Sequence, residues 1–219
     1  MILVVLTSSV NAEETSKALI ITGVEDHHPL TFKLPNDEPA GLYVDIWKLW
    51  SKSNNIPIKF DLTTMEKGLQ LVKNKQAIHV GLFKNKPREE WADFSVPFHI
   101  VSSSIFYKKT NKPDNKKKTL KHFHGKVIAV LPGSYQEQYL LDNYPLIKLV
   151  NYSNKDSFLQ LFNEEIHGIF DETPSMQSFV AQLGMAGVFE SNEITSASKL
   201  VHVALAKGQP MLLKKINQG

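Results

Sequence analysis

The chain has no cysteine. That excludes disulfides, zinc–thiolate sites and thiol nucleophiles, and no lipid anchor through a cysteine is expected. Nor is there, beyond the N-terminus, an apolar run approaching the ~20 residues that cross a bilayer as a helix. Excess charge is also missing. Twenty-five Lys and Arg stand against 22 Asp and Glu, a formal +3, which supplies no strong field for nucleic acid. What is present is ordinary globular protein, 219 residues with 42% hydrophobic and 21% charged side chains. That length builds one large domain or two modest lobes with real cores.

Residues 1–12 resemble the back half of a signal peptide. Residues 1–6 are apolar, Val10 and Ala12 sit as in a small-residue cleavage site, and polar chain begins at Glu13. The positive leading segment is missing, so a short N-terminal strand is the alternative. Beyond it, apolar residues 18–22 read as a strand stopped by Gly23. A helix begins near Tyr43, with Ile46, Trp47, Leu49 and Trp50 at helical spacing. Core packing is the expected use of both tryptophans. A strand over 56–60 and a helix opened by a Thr63/Glu66 capping box follow. Next comes an apolar strand over 77–83, then a polar loop with Asn85, Pro87 and Arg88, and apolar chain again from Phe94 to Phe98. The order β-α-β-α-β predicts a parallel sheet with ligands at the carboxyl ends of its strands.

After a strand over 101–107, residues 108–118 are rich in lysine but carry no interleaved aromatics. They read as a solvated connector rather than a nucleic-acid or membrane patch. A second β-α-β-α-β run follows, with strands at 126–131, 147–152 and 166–170. Ser134 with Glu137 repeats the capping spacing behind Gly133, a natural anion site at a helix start. The third strand ends on Asp171 and Glu172, and Pro174 suits the first turn of the next helix. Further strands are expected at 186–190 and 199–206. Arg88 on one half and Asp171 with Glu172 on the other form a fixed cation facing fixed anions, the complement of a zwitterion.

These segments, in this order and spacing, resemble the type 3 extracytoplasmic solute-binding proteins, whose best-known members bind polar amino acids. The matching stretches are 28–32, 41–46, 81–88, 93–98, 125–134, 159–172 and 206–210. The resemblance implies an α/β, two-lobed periplasmic-binding-protein (Venus-flytrap) fold, each lobe a sheet flanked by helices. It assigns residues 17–107 plus 200–219 to lobe I and 108–199 to lobe II, with crossings near Tyr107–Lys108 and Lys199–Leu200. It matches Arg88 to the arginine that holds a ligand carboxylate and Glu172, preceded by Asp171, to the acid that holds the amino group. His27 and His28 fall where a ring stacks on the ligand. Phe83 and Asn85 stand where family members carry hydroxyls, and His167 where an acid is usual, so the pocket around the clamp is rewritten. The C-terminal end is shorter than the family's, as in sensor input domains.

The resemblance therefore implies a periplasmic, monomeric binding protein for a small polar, amino-acid-like ligand. Its partner is an ABC permease or, in the alternative, the output domain of a diguanylate cyclase or histidine kinase. No cofactor, metal, catalytic residue or nucleic-acid partner is expected. A dehydratase-type enzyme with Glu172 as general acid is the first rival, weakened because adjacent strand residues face opposite ways. A metal site is the second, starting from His27–His28 and from His122 and His124, which alternate as on one strand face, but neither pair has a third ligand by spacing.

Overall fold

Apolar runs without alternation belong in the middle of a sheet covered on both faces. In the computed structural model, which describes residues 17–109, 117–151 and 154–219, they lie there. The signal-like residues 1–12 and the connector residues 110–116 lie outside the described residues. Strand β1 (Leu19–Val24) leads into a small antiparallel sheet of β2 (Asp26–His27), β3 (Thr31–Lys33) and β4 (Pro39–Ala40). Then come α1 (Leu42–Asn54), β5 (Ile58–Thr63), α2 (Met65–Lys73), β6 (Ile78–Phe83), the short α3 (Lys86–Glu89) and β7 (Ala92–Val101). The second run is β8 (Ser103–Lys108), β9 (Val127–Val130), α4 (Tyr135–Asn143), β10 (Lys148–Asn151) and α5 (Asn154–Phe162). It continues with β11 (Gly168–Glu172), α6 (Thr173–Gln182) and β12 (Phe189–Glu193), after which β13 (Lys199–Ala206) and α7 (Pro210–Gln218) follow.

Two five-stranded sheets result, β5-β1-β6-β13-β7 and β10-β9-β11-β8-β12, one in each lobe. Strand β1 runs parallel to β5 and β6, and β9 parallel to β10 and β11, as helical crossovers require. The returning strands β13 and β8 pair antiparallel with their neighbours. The first core gathers Trp47 and Trp50 with Ile21, Leu30 and Val80, and the Trp47 indole donates to the Val80 carbonyl at 3.3 Å. Both tryptophans are core, as their spacing predicts. The second lobe packs Phe123, Leu140 and Phe170 on one side of its sheet and Phe158, Leu161 and Phe189 on the other.

Several expectations shift. Residues 103–107, read as lobe I, form β8 of the second sheet, because β8 pairs with β11 and β12. The chain thus crosses at Ser102, where the carbonyl accepts from the Thr173 N–H at 2.8 Å. Periodicity sees one apolar run here and cannot see that its hydrogen bonds change sheets. The cap of α2 is Thr64, accepting from the Lys67 N–H at 3.3 Å, while Thr63 is the last residue of β5. The last strand of the second sheet starts at Phe189 rather than 186. His122 and His124 share no strand face. Residues Leu120–Phe123 turn as a 3₁₀ helix, and His122 Nδ1 folds back on Thr119. Among the described residues no group of three His, Asp or Glu side chains is placed to hold a metal.

Candidate functional site

The carboxyl ends of β1, β6 and β11 meet where the lobes touch. Strand β6 delivers Phe83, after which Asn85 stops the strand and caps α3: its Oδ1 accepts from the Arg88 N–H at 3.0 Å. This four-residue helix aims Arg88 inward, leaving it only 5% exposed. Its Nη1 donates to the Phe83 carbonyl at 2.7 Å, and its Nη2 crosses the lobe boundary to the Gly133 carbonyl at 2.8 Å. The Phe83 ring meets Tyr135 of the other lobe edge-on, with centroids 5.4 Å apart. Asn85→Ala is expected to cost ~1 kcal/mol through the lost cap, seen as a melting temperature about 2–4 °C lower. Asn85→Asp, which keeps the acceptor, should melt as the wild type does.

On the second lobe, Gly133 takes a left-handed conformation (φ +74°) and brings the chain into α4. Ser134 caps that helix, its Oγ accepting from the Glu137 N–H at 3.1 Å. Glu137 reaches back to the Gly133 N–H at 2.7 Å, closing the predicted box one residue early. Asp171 and Glu172 both reach the inter-lobe cavity although they are neighbours on one strand. Glu172 is both the last residue of β11, still paired with Ser103, and the N-cap of α6. Asp171 Oδ1 accepts from the Glu172 N–H at 2.8 Å, and both carboxyls line the inter-lobe cavity.

That cavity holds ≈ 30 Å³, lined from lobe I by His27, Tyr43, His79, Phe83 and Arg88 and from lobe II by Ser134, Asp171 and Glu172. A neighbouring cavity of ≈ 200 Å³ shares His27, Met65 and Asp171 with it and extends to Ser175, Met176 and Phe179. His28 lies on this second cavity, stacked on Phe32 at 3.8 Å. Asn85 lines neither, so its place is beneath the site as a cap.

Burial dominates the electrostatics. It pushes Glu172 up to about 8, with Arg88 pulling the other way. It lifts Asp171 to about 6, opposed by His27 and helped by Glu172. It draws Arg88 down to about 10, opposed by Glu172. His27 is held below the usual imidazole range by burial, and His79 falls to about 3, through burial and then the Arg88 charge. Tyr43 rises by burial and then by the Glu172 charge, and its hydroxyl pairs with His99 Nδ1 at 2.9 Å. His27 Nε2 and Glu172 Oε2 lie 3.4 Å apart but out of hydrogen-bond alignment, so both are buried without a partner. His79 Nε2 and Ser175 Oγ are in the same condition. Unsatisfied buried polar atoms cost ~1–3 kcal/mol each, and these four gather around the two joined cavities.

Sequence reading brought together Arg88, Phe83, Ser134, Asp171, Glu172 and His27, and missed Tyr43 and His79. Tyr43 gave no signal beyond its place at a helix start. His79 did: it is the one polar residue in the strand over 77–83.

Residues 19–219 match the family described as "Bacterial extracellular solute-binding proteins, family 3". The "ABC transporter arginine-binding protein 1" of Escherichia coli (strain K12) is 24% identical over 191 residues, covering 83% of this chain and 75% of that protein. A histidine kinase sensor domain with similarity to periplasmic binding proteins superposes with a TM-score of 0.84 at 18% identity, over 93% of this chain and 88% of its own. An ancestral arginine-binding protein bound to arginine gives 0.81 at 22% identity, over 92% and 89%.

Proposed function

This chain belongs to family 3 of the bacterial extracellular solute-binding proteins, and on that footing we propose that it clamps an amino acid or related zwitterion between its two lobes. The observation that carries this is the pairing of charges and orphaned atoms in one cavity. Among the described residues Arg88 supplies the only guanidinium or ammonium in the lining, and Glu172 Oε2 supplies an unpartnered acceptor. A carboxylate suits the first and an ammonium the second. Among the described residues the ≈ 200 Å³ cavity is lined by Glu25, Asp26 and Asp171 but by no Lys or Arg, which favours a neutral or cationic ligand side chain there. An arginine-binding relative supports the same class.

At ≈ 30 Å³ the inter-lobe cavity takes about one or two waters, so an amino acid enters only when the lobes part. The two crossings, at Ser102 and between Glu193 and Lys199, are where such a hinge would bend. Export to the periplasm and delivery to an ABC permease is the role this reading assigns. Sensing is the second reading, since a kinase sensor domain has the same fold. The test is a thermal-shift panel of L-amino acids, polyamines, carboxylates and nucleosides. A true ligand at a hundred times its Kd stabilises by ~2.7 kcal/mol, about 5–11 °C at this size. A panel in which no amino acid raises the melting temperature overturns the reading.

A further inference from the structure

His79 lies on β6 among apolar neighbours and is 2% exposed. A buried imidazole must place both ring nitrogens. Its Nδ1 accepts from the Gly81 N–H at 3.3 Å. In the neutral ring the proton then sits on Nε2, which becomes a donor. Nε2 is buried and has no partner, and the residue lines the inter-lobe cavity that Arg88 also lines. The site thus contains a polar donor that the fold itself does not satisfy.

The local backbone accounts for the ring's orientation. The β6–β13 ladder shifts register between His202 and Ala204, opposite the span from Leu82 to His79. At that irregularity the Gly81 N–H turns to the ring of its own strand. The imidazole is thereby held by one nitrogen, and the other is left without a partner in a residue that lines the cavity. The ring edge also lies close under α2, where a methyl on Gly68 would come within 3.9 Å of His79 Cδ2. Arg88, meanwhile, already spends two N–H groups on the Phe83 and Gly133 carbonyls. A carboxylate placed against it has acceptor capacity to spare, since each oxygen takes about two hydrogen bonds.

We propose that His79 is a second, uncharged donor for the ligand's carboxylate, its Nε2–H acting beside the Arg88 guanidinium. The assignment rests on the zwitterion reading above and deepens it: the site selects ligands with a free carboxylate through two groups, only one of them charged. His79 remains neutral through the physiological range, because burial and the Arg88 charge disfavour a second proton. Its contribution is directional rather than coulombic.

Two substitutions separate the ring's two edges. His79→Asn keeps an acceptor near Nδ1 for the Gly81 N–H and removes the distal donor. His79→Gln keeps a donor near the position of Nε2. Calorimetric titration of the full chain uses L-arginine, L-glutamine, L-lysine and any other L-amino acid without a side-chain carboxylate that raised the melting temperature in the panel, each paired with its decarboxylated amine. For whichever amino acid the wild type binds, His79→Asn should weaken binding roughly ten- to hundredfold, the range of a hydrogen bond to a charged group. The matching amine should change by less than about twofold, and His79→Gln should recover most of the loss. Equal weakening of amino acid and amine, or no weakening of either, overturns the assignment. Should His79→Asn fail to fold, the ratio of amino-acid to amine affinity in His79→Gln decides: near the wild-type ratio supports the donor, collapse toward the amine's affinity rejects it. Loss of binding in Arg88→Ala with full binding in His79→Asn rejects this inference alone. A wild type that no L-amino acid of the thermal-shift panel stabilises rejects the zwitterion reading and this inference with it.

Discussion

Arg88→Ala is expected to weaken amino-acid binding by about thirtyfold to a few thousandfold, enough to remove most of the ligand-dependent thermal shift. Truncating one partner of a buried, hydrogen-bonded charge pair costs ~2–5 kcal/mol. Among the described residues no other Lys or Arg lines the cavity to take over the carboxylate. The same substitution should also lower the unliganded melting temperature by several degrees. Read from sequence, Arg88 is a fixed cation for a ligand carboxylate and nothing more. In the structure it ties the Phe83 carbonyl of one lobe to the Gly133 carbonyl of the other. Its removal leaves two carbonyls to find water or open the cleft, at ~1–3 kcal/mol for each that stays buried. Arg88→Lys should keep the charge but not the fork that spans both carbonyls, and so fall between the two. A variant Arg88→Ala that binds the wild type's ligand with undiminished affinity overturns the clamp.

The second large effect is a pH dependence carried by Glu172. Its folded value is raised to about 8, from an unfolded value near 4.5. Its contribution to stability is therefore fully present below about 4.5 and is lost as pH rises through 8. Asp171 acts in the same direction, but its window closes near its folded value of about 6. The lowered histidines work oppositely, adding stability as pH rises toward the unfolded imidazole value, and are spent by about 6.5. Between pH 6.5 and 8 Glu172 acts alone. At 1.36 kcal/mol per unit the unliganded protein should lose about 2 kcal/mol over that span, or about 4–8 °C. Ligand affinity should move the other way. An ammonium against Glu172 requires the carboxylate, so binding releases a proton and tightens by up to about tenfold per pH unit toward pH 8. Glu172→Gln should flatten both profiles and weaken binding. Melts and titrations at pH 6.5, 7.25 and 8, in buffers of differing ionisation enthalpy, read both effects. Unchanged pH profiles in Glu172→Gln overturn its role.

The architecture, and most of the residues that line the inter-lobe cavity, were legible in the sequence. Apolar runs and caps at 18–22, 77–83, 134–137 and 166–172 set two βαβαβ lobes, because strand and helix periods are local properties of the chain. The rule that ligands sit at strand ends then pointed to Phe83, Arg88, Asp171 and Glu172. Only the tertiary structure decided how these residues are used. Asn85 became a cap because the strand must stop before Arg88 can turn inward. Residues 103–107 moved to the second sheet because hydrogen-bond partners are chosen across the chain, not along it. Asp171 and Glu172 came to share a cavity because β11 ends on them at the cleft, where α6 takes over the chain. His79, a lone polar letter in an apolar run, acquired meaning only when packing closed around it. Desolvation and the unpaired ring nitrogen are set by neighbours distant in sequence, and no local pattern records them.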